Sequence, residues 1–144
     1  MSGPTLWRSR PDSSAREQPL VMIRRLLPAA QLEGAIAFYE GVLGERCDLR
    51  FDYPEMELSL ASVGAVLLIA GSERALAPFA ATDATLLVAS LEEAAARVRA
   101  GGGEIVEEPK AVPTGRNMLA RHPDGALVEY VEHRPQAGEI AAIT

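Results

Sequence analysis

The chain has 144 residues, a length that fits one domain or two very small ones. It contains one cysteine, Cys47, and two histidines, His122 and His133. These counts exclude an internal disulfide framework and any zinc or iron–sulfur site that needs several thiolates. The net charge is −6 and the sequence has no basic block, so nothing in it indicates nucleic-acid binding.

Residues 1–19 are predicted to be a disordered tail, because they are mostly polar and charged. They contain no apolar segment of the kind that a signal peptide requires. The longest strongly apolar run, Ala65–Ala70, is far shorter than the ~20 residues that span a bilayer. A single cysteine and no targeting signal predict a cytoplasmic protein that does not bind membranes.

A strand, a helix and three further strands are predicted from residue 20 onwards. The first strand covers Leu20–Leu27. Apolar residues then recur at helical spacing and stop at Gly44, which favours a helix end; they are Leu32, Ala35, Ile36, Tyr39 and Leu43. Strand patterns follow at Asp48–Tyr53, Met56–Ser62 and Val63–Ala70.

The same order of elements is predicted again from residue 83. A strand at Asp83–Ala89 precedes a helix, and Ser90 with Glu93 forms a capping-box signal at the helix start. The glycines of Gly101–Gly103 end that helix. Strands are then predicted at Gly103–Glu108, Arg116–Arg121 and Ala126–Glu132, and the turn His122–Gly125 joins the last two.

The two halves are related by an internal repeat. A shift of 59 residues gives eight identities in the nineteen positions 27–45, and a shift of 61 aligns the last strands. We therefore predict an α+β fold in which two tandem βαβββ modules form a curved mixed sheet around a central cavity, with the helices outside. The domain is expected over residues 20–134, with module one at 20–70, a linker at 71–82 and module two at 83–134. Residues 135–144 are predicted to be a C-terminal tail.

These modules resemble those of the vicinal oxygen chelate superfamily, which includes glyoxalase I, bleomycin-resistance proteins and extradiol dioxygenases. The residues that carry the resemblance are Ala37-Phe38-Tyr39 and Leu43-Gly44 in module one, and Leu91-Glu92, Ala94, Gly102-Gly103, Glu104, His122-Pro123-Asp124-Gly125 and Glu129 in module two. The resemblance implies a small-molecule ligand in the cavity and a homodimer.

Metal-dependent members of that superfamily take their ligands from four related positions. The repeat places these positions at Arg24, Leu68, Asp83 and Glu129, of which only Glu129 matches the ligand type of the family. Arginine stays protonated and cannot ligate a metal. We therefore expect no metal and no cofactor, and instead predict that Arg24, Asp83 and Glu129 contact a ligand.

Glu129 and Arg24 each allow two interpretations. Glu129 lies between apolar strand residues on a face predicted to point inward, which favours a general base or a ligand contact over an acid that is merely satisfied by Arg24. Arg24 either grips a substrate carboxylate or joins a buried ion network with Asp83 and Glu129.

Further candidates are weaker. Arg116 is either an anion-binding group or a solvated loop arginine, and Tyr53 either lines the cavity or packs at a hairpin end. Leu68 and Met118 are candidate apolar lining, although an alternating apolar stripe is ordinarily core. His122 is expected to serve a turn, His133 to be exposed, and Cys47 to be structural.

The sequence therefore predicts a metal-independent protein that binds a small organic molecule. An alternative is a metal-independent lyase or isomerase in which Glu129 removes a proton next to a carbonyl group and Arg24 stabilises the enolate. A less favoured alternative is a divalent-metal glyoxalase or dioxygenase whose ligands are completed at a dimer interface.

Overall fold

The computed structural model describes residues 6–135, which divide into two compact units. Within the described residues, unit one comprises 6–10 and 23–80, and unit two comprises 11–22 and 81–135. No helix among the described residues is long and apolar enough to cross a membrane.

Unit one contains five paired strands and two helices. Strand β2 spans Leu20–Leu27, and its residues 23–27 belong to unit one. The other strands of unit one are β1 (Leu6–Arg8), β3 (Cys47–Tyr53), β4 (Leu58–Val63) and β5 (Val66–Gly71). They pair in the order β1, β3, β4, β5, β2, and only the β5–β2 pair is parallel. Helix α1 (Leu32–Leu43) ends at Gly44, whose φ of 66° suits a residue without a Cβ. The predicted stop is thereby confirmed.

Unit two repeats this arrangement. The first part of β2 pairs with β6 (Ala84–Leu87), β6 runs parallel to β9 (Leu127–His133), and β8 (Gly115–Arg121) and β7 (Glu104–Val112) follow in antiparallel order. Helix α3 (Leu91–Ala100) begins where the side chain of Ser90 accepts the amide of Glu93. The predicted capping residue and the predicted α+β class with tandem βαβββ modules are confirmed.

Helices α1 and α3 each cover one face of the sheet in their own unit. In unit one, α1 packs on a buried cluster made of Leu27, Leu32, Ile36, Ala61, Val63, Val66, Leu68 and Ala70. In unit two, α3 packs on Val88, Leu91, Ala95, Met118, Ala120, Val128 and Tyr130. Because successive side chains of a strand alternate between faces, the neighbours of these strand residues lie on the face away from the helix.

The segment predicted as a linker contains structure of its own. Helix α2 (Glu73–Leu76) begins at Ser72, whose side chain accepts the amide of Ala75. Residues 71–80 belong to unit one. The predicted C-terminal tail lies outside the described residues from 136 onwards.

The prediction of a disordered N-terminal tail is wrong for residues 6–19. Strand β1 pairs with the edge strand β3 of unit one. In unit two, Ser13 is buried: its hydroxyl donates to the carbonyl of Val88 at 2.7 Å and accepts from the amide of His133 at 3.0 Å and from Arg134 at 2.9 Å. The sequence did not predict this order because the segment has few apolar residues. It is held by hydrogen bonds and one strand pair.

Replacing Ser13 by alanine should lower the free energy of unfolding by about 2 kcal/mol, because it leaves buried backbone groups without a partner. Urea unfolding of the S13A variant measures this loss. Ser14 is exposed, so the S14A variant is the matched control and should change stability by less than about 0.5 kcal/mol. Equal effects of the two substitutions would contradict the role given to Ser13.

Candidate functional site

Glu129 lies on the face of unit two that points away from α3. Its neighbours Val128 and Tyr130 belong to the core under the helix, so alternation sends Glu129 to the opposite face. Its register partner on the parallel strand β6 is Thr85. The predicted placement of Glu129 on a helix-free face therefore agrees with the structure.

Two neutral donors hold the carboxylate of Glu129. The Thr85 hydroxyl donates to Oε1 at 2.9 Å, and Nδ2 of Asn117 on β8 donates to Oε2 at 2.9 Å. Thr85 is buried, whereas Glu129 is only partly buried. The carboxylate thus has a fixed orientation and remains partly accessible.

Asn117 presents an acceptor beside this carboxylate. Its amide nitrogen must face Glu129, because turning the amide would bring two oxygens together. Its Oδ1 is then buried and finds no hydrogen-bond partner within residues 6–135. An unsatisfied buried acceptor costs about 1–3 kcal/mol, which favours a polar ligand that donates a hydrogen bond here.

Apolar side chains surround these polar groups on the same face. Met22, Leu87 and Val131 are each at least nine-tenths buried, and Leu119 is the register partner of Glu129 on β8. We call the set Glu129, Thr85, Asn117, Met22, Leu87, Leu119 and Val131 the Glu129 face. Sequence reasoning missed Thr85 and Asn117, because neither residue type stands out without the register.

Arg24 has the corresponding place in unit one. It lies opposite Leu67 in the parallel pair β2–β5, on the face away from α1, as Thr85 lies opposite Glu129 in β6–β9. The four related positions are therefore Arg24, Leu67, Thr85 and Glu129. The sequence alignment also gave Arg24 and Glu129, but gave Leu68 and Asp83 for the other two positions.

Leu68 and Asp83 serve the fold. Leu68 is completely buried under α1, and Asp83 accepts the amide of Leu127 at 2.9 Å, where β9 begins. Met118 is likewise buried, in the core under α3. Leu68 differs from the predicted ligand contact because a shift of one residue moves a strand side chain to the other face. Asp83 lies just before β6, and Met118 is on the helix side of β8.

Arg116 is held by two carboxylates at the start of α3. Its guanidinium donates to both oxygens of Glu92 at 2.9 Å and to both oxygens of Glu132 at 2.9 and 3.1 Å. Glu132 is buried and also accepts the amide of Leu91 at 2.7 Å. Arg116 is therefore a strand residue paired with two acids, and its binding of an anionic ligand stays a prediction. Glu132 is a structural acid that the sequence did not reveal.

The remaining candidates have local roles. Tyr53 is half-buried opposite Leu58, on the face away from α1, and its ligand contact stays a prediction. His133 was expected to be exposed but is buried, because β9 extends to it and Ser13 bonds its amide. Cys47 donates to the carbonyl of Leu49, and burial raises the pKa of its thiol, which agrees with a structural cysteine.

The residues at the four related positions do not fit a divalent metal. Their residue types are arginine, leucine, threonine and one glutamate, whereas such sites need three or more protein ligands. Across residues 6–135, no three His, Cys, Asp or Glu side chains are grouped closely enough to hold a metal ion. We therefore derive no chemical step through a metal.

Comparisons with known proteins agree with this architecture. The family model described as Glyoxalase/Bleomycin resistance protein/Dioxygenase superfamily matches residues 21–130. A lactoylglutathione lyase of Salmonella typhimurium is 31% identical over 123 residues, covering 77% of this chain and 91% of the relative. A lactoylglutathione lyase of Neisseria meningitidis serogroup B is 29% identical over 132 residues, which cover 83% of this chain and 96% of the relative.

Solved structures show the same fold. An uncharacterised protein from Methanosarcina mazei is 43% identical, with a TM-score of 0.71 over 79% of this chain and 91% of that chain. A methylmalonyl-CoA epimerase from Mycobacterium tuberculosis is 20% identical, with a TM-score of 0.58; the match covers 79% of this chain and 87% of the epimerase. The epimerase supports the fold alone.

The Arg116 network predicts a pH-dependent contribution to stability. Hydrogen bonding from Arg116 lowers the pKa of Glu92 below its ordinary 4.5, so this contribution is complete above that value and is lost as the pH falls through the lowered pKa. Arg116→Gln should return the pKa of Glu92 toward 4.5, as read from an NMR titration of its side chain.

The control for this titration lies in unit one. Arg50 donates to Glu33 and lowers its pKa in the same way. Glu33 should keep its lowered pKa in the R116Q variant. A rise at both carboxyls, or at neither, would contradict a specific Arg116–Glu92 interaction.

Proposed function

The chain belongs to the Glyoxalase/Bleomycin resistance protein/Dioxygenase superfamily, and we propose that it binds a small organic molecule on the Glu129 face without a metal ion. The observation that carries this proposal is the carboxylate of Glu129, oriented by Thr85 and Asn117 and flanked by apolar side chains. Binding sites commonly combine a few fixed polar groups with apolar walls in this way.

The polar groups specify the chemistry of the ligand. Thr85 and Asn117 each donate one hydrogen bond to the carboxylate of Glu129, and Oδ1 of Asn117 accepts none within residues 6–135. A hydroxyl or N–H group of the ligand would supply the missing donor to Asn117. The apolar residues of the face would cover its carbon skeleton.

A second candidate function is proton transfer at a carbon next to a carbonyl group. It is favoured by the fixed carboxylate together with the name of the curated relatives, since lactoylglutathione is a thioester with a hydrogen on the adjacent carbon. Glu129 would take that proton and deliver it to the neighbouring carbon, so that substrate and product are isomers that differ in where hydrogen is bonded. A contribution of Arg24 to ligand binding also stays a prediction.

Ligand binding should be visible at Asn117. We expect a compound from a panel of hydroxy acids and thioesters, lactoylglutathione included, to shift the NMR signals of the Asn117 side-chain amide. The affinity should fall about tenfold in the E129Q variant, because a charge-assisted hydrogen bond is worth ~1.4 kcal/mol or more. A chelator should leave the affinity of the wild type unchanged.

The matched control is Glu108→Gln, which removes an exposed carboxylate of β7 in the same unit. It should leave the affinity unchanged. Signal changes confined to other surfaces, or binding that needs an added divalent metal, would contradict the proposal. Deuterium uptake by lactoylglutathione in heavy water, present with the wild type and absent with E129Q, separates proton transfer from binding alone.

A further inference from the structure

Unit two contains a cavity on the opposite side of its sheet from the Glu129 face. It has a volume of about 340 Å³ and lies between residues 16–19, helix α3 and the turn at His122. We propose that this cavity binds a free α-amino acid with an apolar side chain. Its wall contains a polar pair, its lining is mainly apolar, and charges of both signs lie at its rim.

The polar pair is formed by His122 and Tyr130. The Nε2 atom of His122 lies 2.6 Å from the phenol oxygen of Tyr130, and both residues line the cavity. Burial raises the pKa of Tyr130, so the phenol stays protonated and can donate. The pair therefore places a hydrogen-bonding group within a mainly apolar wall.

The internal repeat shows that the fold does not require this pair. Since Leu67 corresponds to Glu129, the residue of unit one that corresponds to Tyr130 is Leu68. Leu68 is fully buried under α1 and supports its helix without any polar group. The phenol oxygen and the imidazole are therefore additions particular to unit two, although the Tyr130 ring itself packs under α3.

The lining next to the pair suits an apolar side chain. Leu86, Val88, Ala94 and Val98 come from β6, the strand end that follows it, and α3. The volume lies at the lower end of the range for ligand pockets, roughly 300–1,000 Å³, which limits the occupant to a small molecule.

Charges of both signs at the rim of the cavity further limit the class of molecule that can bind there. Arg97 and Glu93 are exposed, stand one turn apart on α3, and form no ion pair with any residue of 6–135. Arg16 and Glu17 contribute a second pair of opposite charges. Nε of Arg16 donates a hydrogen bond to the carbonyl of Gln18. By contrast, the neighbouring Arg99 pairs with Glu108 at 3.3 Å.

An α-amino acid matches these features together. Its carboxylate would bind a guanidinium, its ammonium would bind a carboxylate, and its side chain would enter the apolar part of the cavity. A simple anion or a simple cation would satisfy only one sign of charge at the rim.

Phenylalanine is the probe, and two of its derivatives are the comparison. N-acetylphenylalanine lacks the ammonium, and phenylalaninamide lacks the carboxylate. Titration followed by amide NMR should show that phenylalanine binds about tenfold more tightly than either derivative, as expected for one lost charge-assisted bond. Equal binding of all three, or no binding of phenylalanine, would overturn the proposal.

Charge-specific variants identify the rim contacts. Arg97→Gln should weaken phenylalanine several-fold and leave phenylalaninamide unchanged, whereas Glu93→Gln should weaken phenylalanine and leave N-acetylphenylalanine unchanged. Arg99→Gln removes a neighbouring cation that is already paired and should change nothing. If R97Q and R99Q behave alike, the assignment is wrong.

Two further variants separate this site from the Glu129 face. Tyr130→Phe keeps the ring but removes the phenol oxygen, and should weaken phenylalanine while urea unfolding confirms a folded protein. Glu129→Gln should leave phenylalanine binding unchanged. A loss in E129Q equal to that in Y130F would place phenylalanine on the Glu129 face and overturn the proposal.

Discussion

The parallel pairing of β6 with β9 determines which chemistry each face of unit two can carry. It sets Thr85 opposite Glu129 and Leu86 opposite Tyr130. Alternation then sends Tyr130 and Glu132 toward α3, and Glu129 and Val131 to the other face. A slip of one residue would bury Glu129 under the helix and expose the core, so burial of the apolar residues fixes the position of the carboxylate.

Two carboxylates three residues apart show how this constraint divides the work of β9. Glu132 lies on the helix side, where it accepts the amide of Leu91 and binds Arg116. Glu129 lies on the other side, where two neutral donors orient it. A buried acid paired with an arginine and a helix amide stabilises the start of α3. Glu129 remains partly exposed, so β9 carries a buried structural acid on one face and a partly accessible acid on the other.

The parts of the fold that depend on local pattern could be predicted from the sequence. Helical periodicity located both long helices, Gly44 and Ser90 located their boundaries, and the repeat located the two modules. The placement of Glu129 on the face away from the helix followed as well. The alignment was off by one residue at Leu68, which changes the face, and by two at Asp83, which lies before the start of β6.

Contacts between distant segments could not be predicted. The N-terminal segment was missed because Ser13 is held by partners at Val88 and at His133, which lie 75 and 120 residues away. Composition reports whether a segment can bury apolar area, and this segment is held by hydrogen bonds instead. Glu132 was missed for the same reason, since its partners Leu91 and Arg116 come from two other elements.

The two units differ more at the four related positions than in the apolar residues under their helices. On the helix-free faces, Arg24 with Leu67 corresponds to Thr85 with Glu129. Restoring a metal site would therefore require more than replacing Arg24 by a histidine, because Leu67 and Thr85 offer no strong ligand either. Three of the four positions thus lack a strong metal ligand, and no single substitution supplies the three ligands that such a site needs.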